Sequence, residues 1–158
     1  MNNLKLNLDH FPKNYHTIAI RSDLSEFRLA FFLNKELKIC LKRKNQDIYL
    51  SDNNARYSIF EYLDEVMYLK WIFFSNKALV VEKKDNLSLN LFSQQNSLQN
   101  KIYLINQPKG VDYFMIIENV KNNTYVQKVL RKISEISGVI TTFVSDKELE
   151  NKENLIFS

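Results

Sequence analysis

The most concentrated chemistry in the sequence is cationic. Between Lys35 and Lys44 stand five basic residues (Lys35, Lys38, Lys42, Arg43 and Lys44) against one acid, Glu36. That stretch carries +4, equal to the net charge of the whole 158-residue chain. Ammonium and guanidinium groups at this density suit phosphate or an acidic partner; a solvated face is the plainer alternative. Read as a strand, Lys38–Lys44 projects Lys38, Lys42 and Lys44 from one side at a spacing of about 7 Å per two residues, which can track phosphates along a nucleic-acid strand. Tyr49, Tyr57 and Tyr62 would add base stacking. A second basic group, Lys128, Arg131 and Lys132, falls in an expected helix. No signature of a known RNA-binding fold accompanies either group.

Other reactive residue types are sparse. Cys40 is the single cysteine, so an intrachain disulfide is impossible and a reduced, cytoplasmic setting is the default expectation. Lys38, Lys42 and Arg43 can lower the pKa of a nearby thiol. Yet Cys40 alternates with Ile39 and Leu41 in an apparent strand, which predicts a buried structural thiol. His10 and His16 are six apart across Pro12, a spacing that does not put two imidazoles on one helix face. One Cys and two His cannot supply the usual four N/S ligands of structural zinc. Glu61, Asp64 and Glu65 can be read as an acid/base pair or a magnesium site, or as solvent-facing acids at a turn. The two glycines, Gly110 and Gly138, lie 28 apart, so neither a dinucleotide fingerprint nor a phosphate-cradling loop can be written. The expectation is no cofactor and no metal.

These residues must be held by elements that the hydrophobic pattern outlines. Thr17–Arg21 alternates as a short strand. Ser22 and Asp23 then offer N-caps, and Asp23 with Glu26 fits a capping box. Leu24, Phe27, Ala30 and Phe31 recur at helical spacing, with Leu29, Phe32 and Leu33 as a second apolar side. That predicts a helix buried over more than half its girth and ending near Asn34. Ile48–Leu50, Tyr57–Leu63 and Met67–Phe74 read as strands, with Asp64–Glu65 as a hairpin turn. Ala78–Val81 and Leu87–Phe92 are weaker strand patterns, and Ser93–Asn100 reads as a loop. Lys101–Ile105 predicts a strand, Asn106–Gly110 a turn, and Val111–Ile117 a strand buried on both faces. Val126, Leu130, Ile133 and Ile136, with Val129 beside them, make a helical stripe. Gly138 stands where a left-handed residue closes a helix. Val139–Val144 returns as a strand, and residues 145–158 form a charged tail.

Two strand–helix–strand units thus flank a block of antiparallel strands. The expected fold is a single α+β domain over residues 1–158, a mostly antiparallel sheet with two or three helices on one face. A ferredoxin-like arrangement with a β insertion is the preferred version. The longest apolar runs, Leu29–Leu33 and Tyr113–Ile117, fall far short of the roughly 20 residues that span a bilayer, so no membrane segment is expected.

The segment Ile105–Tyr113 reads INQPKGVDY and resembles the signature of the IPExxxVDY family, small bacterial proteins of the Bacteroidota. Ile105, Val111, Asp112 and Tyr113 match it. Asn106 stands where the family has Pro, and Gln107 where it has Glu. Phe27-Arg28-Leu29, Phe32-Leu33-Asn34, Ser58–Glu65, Ser75-Asn76-Lys77 and Lys152–Phe157 are similar to family features in family order, so the resemblance covers nearly the whole chain. It implies no particular activity. In the VDY element, Asp112 and Tyr113 can be a polar pair lining a site. Alternatively Asp112 accepts backbone N–H groups of the Gln107–Gly110 turn while Tyr113 buries its ring and bonds through its hydroxyl.

The functional expectation is a non-enzymatic cytoplasmic binding or adaptor module, holding a protein partner or a second copy of itself. An RNA-associated protein using Lys38, Lys42, Arg43, Lys44, Lys128, Arg131 and Lys132 is the alternative. A small enzyme ranks third.

Overall fold

In the computed structural model, which describes residues 4–5, 15–81, 99–145 and 156–157, the elements run β1 (Leu4–Lys5), β2 (Tyr15–Ser22), α1 (Glu26–Leu37), β3 (Lys42–Arg43), β4 (Ile48–Leu50), β5 (Ala55–Tyr57), β6 (Ile59–Asp64), β7 (Leu69–Ser75), β8 (Lys77–Val81), β9 (Gln99–Tyr103), β10 (Tyr113–Glu118), α2 (Asn123–Ser134), β11 (Val139–Ser145) and β12 (Ile156–Phe157). Six strands form an antiparallel sheet in the order β11-β2-β10-β7-β6-β3. β1-β12-β4-β5 make a second, smaller sheet, and β8-β9 a two-stranded ribbon. The fold is α+β and mostly antiparallel. Among the described residues no helix is long and apolar enough to cross a membrane.

The sequence of β10 dictates its central place. Every residue of YFMIIE is buried, and a strand without a polar face must be covered on both sides. Tyr113, Met115 and Ile117 face one core with Ile18, Ile20, Trp71 and Phe73, under Leu29, Ala30 and Leu33 of α1 and Val126, Val129 and Ile133 of α2. Phe114 and Ile116 face a second core with Ala19, Ile72 and Phe74, closed by Ile48, Ala55, Tyr57, Leu104, Ile105 and Val111. The alternation of Leu69, Trp71 and Phe73 against Ile72 and Phe74 divides β7 between the same two cores. Both helices therefore lie on one face of the sheet.

Several boundaries differ from the sequence expectation for definite reasons. The apolar run Tyr57–Leu63 breaks at Ser58 because the chain changes sheets there: Tyr57 pairs with Ile48 and Ile59 with Phe74. Met67 belongs to the β6–β7 turn, where Asp64 Oδ1 accepts the N–H groups of Val66 and Met67 at 3.0 Å each. Lys101–Ile105 leaves strand geometry after Tyr103, since Leu104 and Ile105 bond to Asn76 instead. The capping box is absent. Ser25 is the N-cap of α1, while the Ser22 hydroxyl donates to the Gly138 carbonyl at 2.7 Å and accepts from Leu24 N–H. α1 also runs past Asn34 to Leu37 and closes on Lys38 in the left-handed region, φ 55°. At the start of α2, Asn122 supplies the side-chain cap to Thr124 N–H at 2.8 Å. Leu87–Phe92, the 93–98 part of the expected loop and the tail beyond Ser145 as far as Leu155 lie outside the described residues.

Glu118 is the exception to the apolar rule of β10, 9% exposed and in register with Lys70. Burial, opposed by Lys70 and reinforced by Glu61, raises its pKa above the ordinary carboxylate value. A carboxyl whose folded pKa is raised binds its proton more tightly in the folded state, so the charged form costs stability above that pKa. Glu118→Gln is therefore expected to raise the melting temperature at neutral pH. The gain should vanish as the pH falls below the unfolded Glu value of about 4.3. An equal gain at both pH values, or a loss at neutral pH, would contradict this.

Candidate interaction surface

The residues of the VDY motif meet at an internal joint rather than at the surface. Ile105, Val111 and Tyr113 are buried, and Asp112 is half-buried. Asp112 does not serve the neighbouring turn. Its Oδ2 accepts Ser22 N–H at 2.9 Å and its Oδ1 takes the Lys77 ammonium at 2.9 Å, tying the end of β2 to the start of β8. The Tyr113 hydroxyl donates to the Leu24 carbonyl at 2.7 Å. Burial, with smaller contributions from Glu26 and Asp112, pushes the phenol pKa upward, so Tyr113 acts as a fixed donor and not as a base. Asn76, fully buried, completes the joint. Its side-chain amide donates to Ile105 O (3.0 Å) and Val111 O (2.9 Å), and its Oδ1 accepts Ile105 N–H at 2.8 Å.

The basic segment is not the lysine ladder its alternation suggests. Lys38 caps α1, and only Lys42–Arg43 form a strand, opposite Glu61 and Phe60. Asn34 brackets Leu41 through both amide atoms, 3.1 Å to its carbonyl and 2.7 Å from its N–H, and so pins the intervening chain. Cys40 is exposed there, not buried, because the residues around it are not a strand of the sheet. Arg43 pairs with Asp47 and lies 5.7 Å from the Phe60 ring centre; Lys44 pairs with Glu61 at 3.0 Å. Arg43, Lys44, Asn45 and Gln46 line an open concavity of about 420 Å³. In the second basic group, Arg131 pairs with Glu135 at 3.3 Å. The Lys132 ammonium reaches the Glu36 carbonyl at 3.4 Å, which brings that group to the C-terminal end of α1. Lys128 is exposed on α2. Three of the seven cations thus have carboxylate partners. Exposed pairs of this kind contribute little stability, about 0–1 kcal/mol each, but they lower the charge offered to a polyanion.

The other candidates disperse. Tyr57 is fully buried with its hydroxyl on Ile102 O at 3.2 Å, so it cannot stack on a base. Tyr49 lies under Arg56, 5.2 Å from its guanidinium. His16 is in β2 opposite Ile117, and His10 lies outside the described residues. Glu61 is committed to Lys44 and Asp64 to its turn. Among the described residues no group of three or more His, Cys, Asp or Glu is placed to hold a metal ion.

The feature that residue spacing does not reveal is apolar surface. Periodicity puts Phe27 and Phe31 on a buried stripe of α1, but they are 60% and 62% exposed while Leu29, Ala30 and Leu33 are buried. Helical spacing places residues on a common face without saying which of two apolar faces the sheet covers. Phe27 meets Phe60 edge-on at 5.7 Å, Phe31 meets Phe32 at 5.4 Å, and Arg28 and Lys35 share the outer face. A second apolar exposure is the β6–β7 tip, with Leu63, Val66, Met67 and Tyr68 exposed between 58% and 85%. The apolar excess of α1 beyond what one sheet face can bury is the signal in the sequence. No protein-family model, no curated protein and no solved structure matches the chain.

Proposed function

We propose that the chain is a non-catalytic binding module that holds a protein partner on the outer face of α1. The observation that carries this reading is the exposure of Phe27 and Phe31 on a helix whose opposite side, Leu29, Ala30 and Leu33, is buried. Aromatic rings aligned on one helix face and flanked by Arg28 and Lys35 are what helix-in-groove and acidic-partner recognition use. The strand order β11-β2-β10-β7, with α1 following β2 and α2 between β10 and β11, supports a ferredoxin-like frame with β3–β6 inserted. INQPKGVDY supports membership of the IPExxxVDY family, in which the signature would mark the joint and not an active centre. Neither point carries a function by itself.

The test is affinity purification from the native host, with and without ribonuclease, comparing the wild-type chain with Phe27→Ser/Phe31→Ser. Both rings are mostly exposed, so folding should change by no more than about 1 kcal/mol. The expected result is a protein partner that survives ribonuclease and disappears with the double variant. Identical recovery with both chains would overturn the reading. The concavity at Arg43–Gln46 and the approach of Lys132 to α1 favour RNA as the second reading. It predicts recovered material that ribonuclease removes, and salt-sensitive RNA binding that Lys42→Glu/Arg43→Glu/Lys44→Glu weakens.

A further inference from the structure

The β6–β7 tip and the outer face of α1 complement each other in two respects. Both are apolar. The tip, Leu63–Tyr68, carries Asp64 and Glu65, whereas the helix face carries Arg28 and Lys35 beside Phe27 and Phe31. The two do not meet within one molecule, because all six apolar residues are more than half exposed. The tip is also held in shape. Asp64 Oδ1 fixes the N–H groups of Val66 and Met67, and Asn119 Nδ2 donates to the Tyr68 carbonyl at 3.2 Å. Tyr68 itself sits at φ 54°, a left-handed conformation in which glycine is favoured and an aromatic residue is strained. Keeping an exposed aromatic ring at such a position points to a use for the ring outside the chain's own core.

We propose that the chain associates with a second copy of itself, the β6–β7 tip of one copy seated on the outer face of α1 of the other. This rests on the reading of that face as a docking face and names its occupant. Opposite charges set the orientation: Glu65, beside the turn-bound Asp64, meets Arg28 and Lys35, while Val66, Met67 and Tyr68 cover Phe27 and Phe31. Because the two surfaces differ, a closed dimer contains the contact twice about a two-fold axis.

Sedimentation equilibrium over a concentration series tests this with three variants. Wild type is expected to dimerise. Phe27→Ser/Phe31→Ser and Val66→Ser/Met67→Ser should each weaken self-association by about tenfold or more. A 1:1 mixture of the two should assemble more strongly than either variant alone but less strongly than wild type, since one of the two contacts in the mixed dimer is intact and the other lacks both halves. Tyr68→Gly relieves the backbone and removes the ring, so its melting temperature should hold or rise while association falls. A wild type that stays monomeric throughout, or a mixture that associates no more strongly than either variant alone, overturns the proposal. If wild type is monomeric but Phe27→Ser/Phe31→Ser still loses a foreign protein in the purification above, self-association falls and the docking face stands.

Discussion

Asn76→Ala is expected to cost roughly 3–9 kcal/mol, since it strips partners from Ile105 N–H, Ile105 C=O and Val111 C=O at about 1–3 kcal/mol per buried group. A domain of this size has only about 5–15 kcal/mol in all. The backbone bonds of residue 76 to Asp112 O and from Leu104 N–H, 2.8 and 2.9 Å, survive without replacing the lost side-chain bonds. Asn76→Asp should be worse at neutral pH. It keeps the acceptor for Ile105 N–H but sets a buried carboxylate against two carbonyl oxygens that require donors. Urea unfolding followed by the fluorescence of Trp71, itself buried, measures both. A loss below about 1 kcal/mol for the alanine variant would show that the joint is not held as described.

Gly138→Ala ranks second, at about 2–5 kcal/mol. An added Cβ would stand 2.7 Å from Leu24 Cγ and 2.8 Å from Cδ2, on a backbone at φ +97°. The overlap contributes about 1–3 kcal/mol and the left-handed backbone about 1–2 kcal/mol. The backbone around Leu24 is pinned, its carbonyl accepting the Tyr113 hydroxyl and the Gly138 carbonyl holding Ser22 Oγ and Asp23 N–H, so relief must come from the half-buried Leu24 side chain itself. Gly110→Ala is the control. Its Cβ would find its nearest neighbour in the Arg21 guanidinium, at an ordinary 3.5 Å, with φ +74°, leaving the backbone cost as the main one. Chemical denaturation of both should show the larger loss at Gly138. Equal losses would mean that Leu24 yields and packing there is loose.

These two residues show where the sequence is legible. Alternation marks β2, β7 and β10, and the doubly apolar pattern of β10 anticipates a strand between two cores. The polar Asp64–Glu65 step marks its hairpin, and the Val126–Ile133 stripe marks α2. Local periodicity carries that information because each element buries a face. It does not tell which apolar side of α1 is covered, since that depends on the sheet beneath. Nor does it show that Ser22 bonds Gly138 and caps no helix, or that Asp112 reaches Ser22 and Lys77 and not its own turn. Those partners of Asp112 are 90 and 35 residues away. Cys40 misleads because a few alternating residues resemble a strand whether or not a neighbour exists to pair with them. The exposed Met67–Tyr68 step resembles the start of a strand for the same reason.

The central place of β10 bears on how the chain is made. β2 leaves the ribosome about 90 residues before the strand it pairs with, and at about 5–20 residues per second that is a wait of roughly 5–20 s. Throughout it β2, and in its later part β7, lack the strand that will lie between them, and the faces of both cores stand open. The early hairpin β6–β7 and helix α1 can form locally, but the sheet closes only when Tyr113–Glu118 emerges. Chains arrested before Val111 should therefore remain open to protease at β2, and protection should arrive abruptly once β10 has cleared the exit tunnel. If β2 is already protected in the shorter chains, the early half folds without its centre.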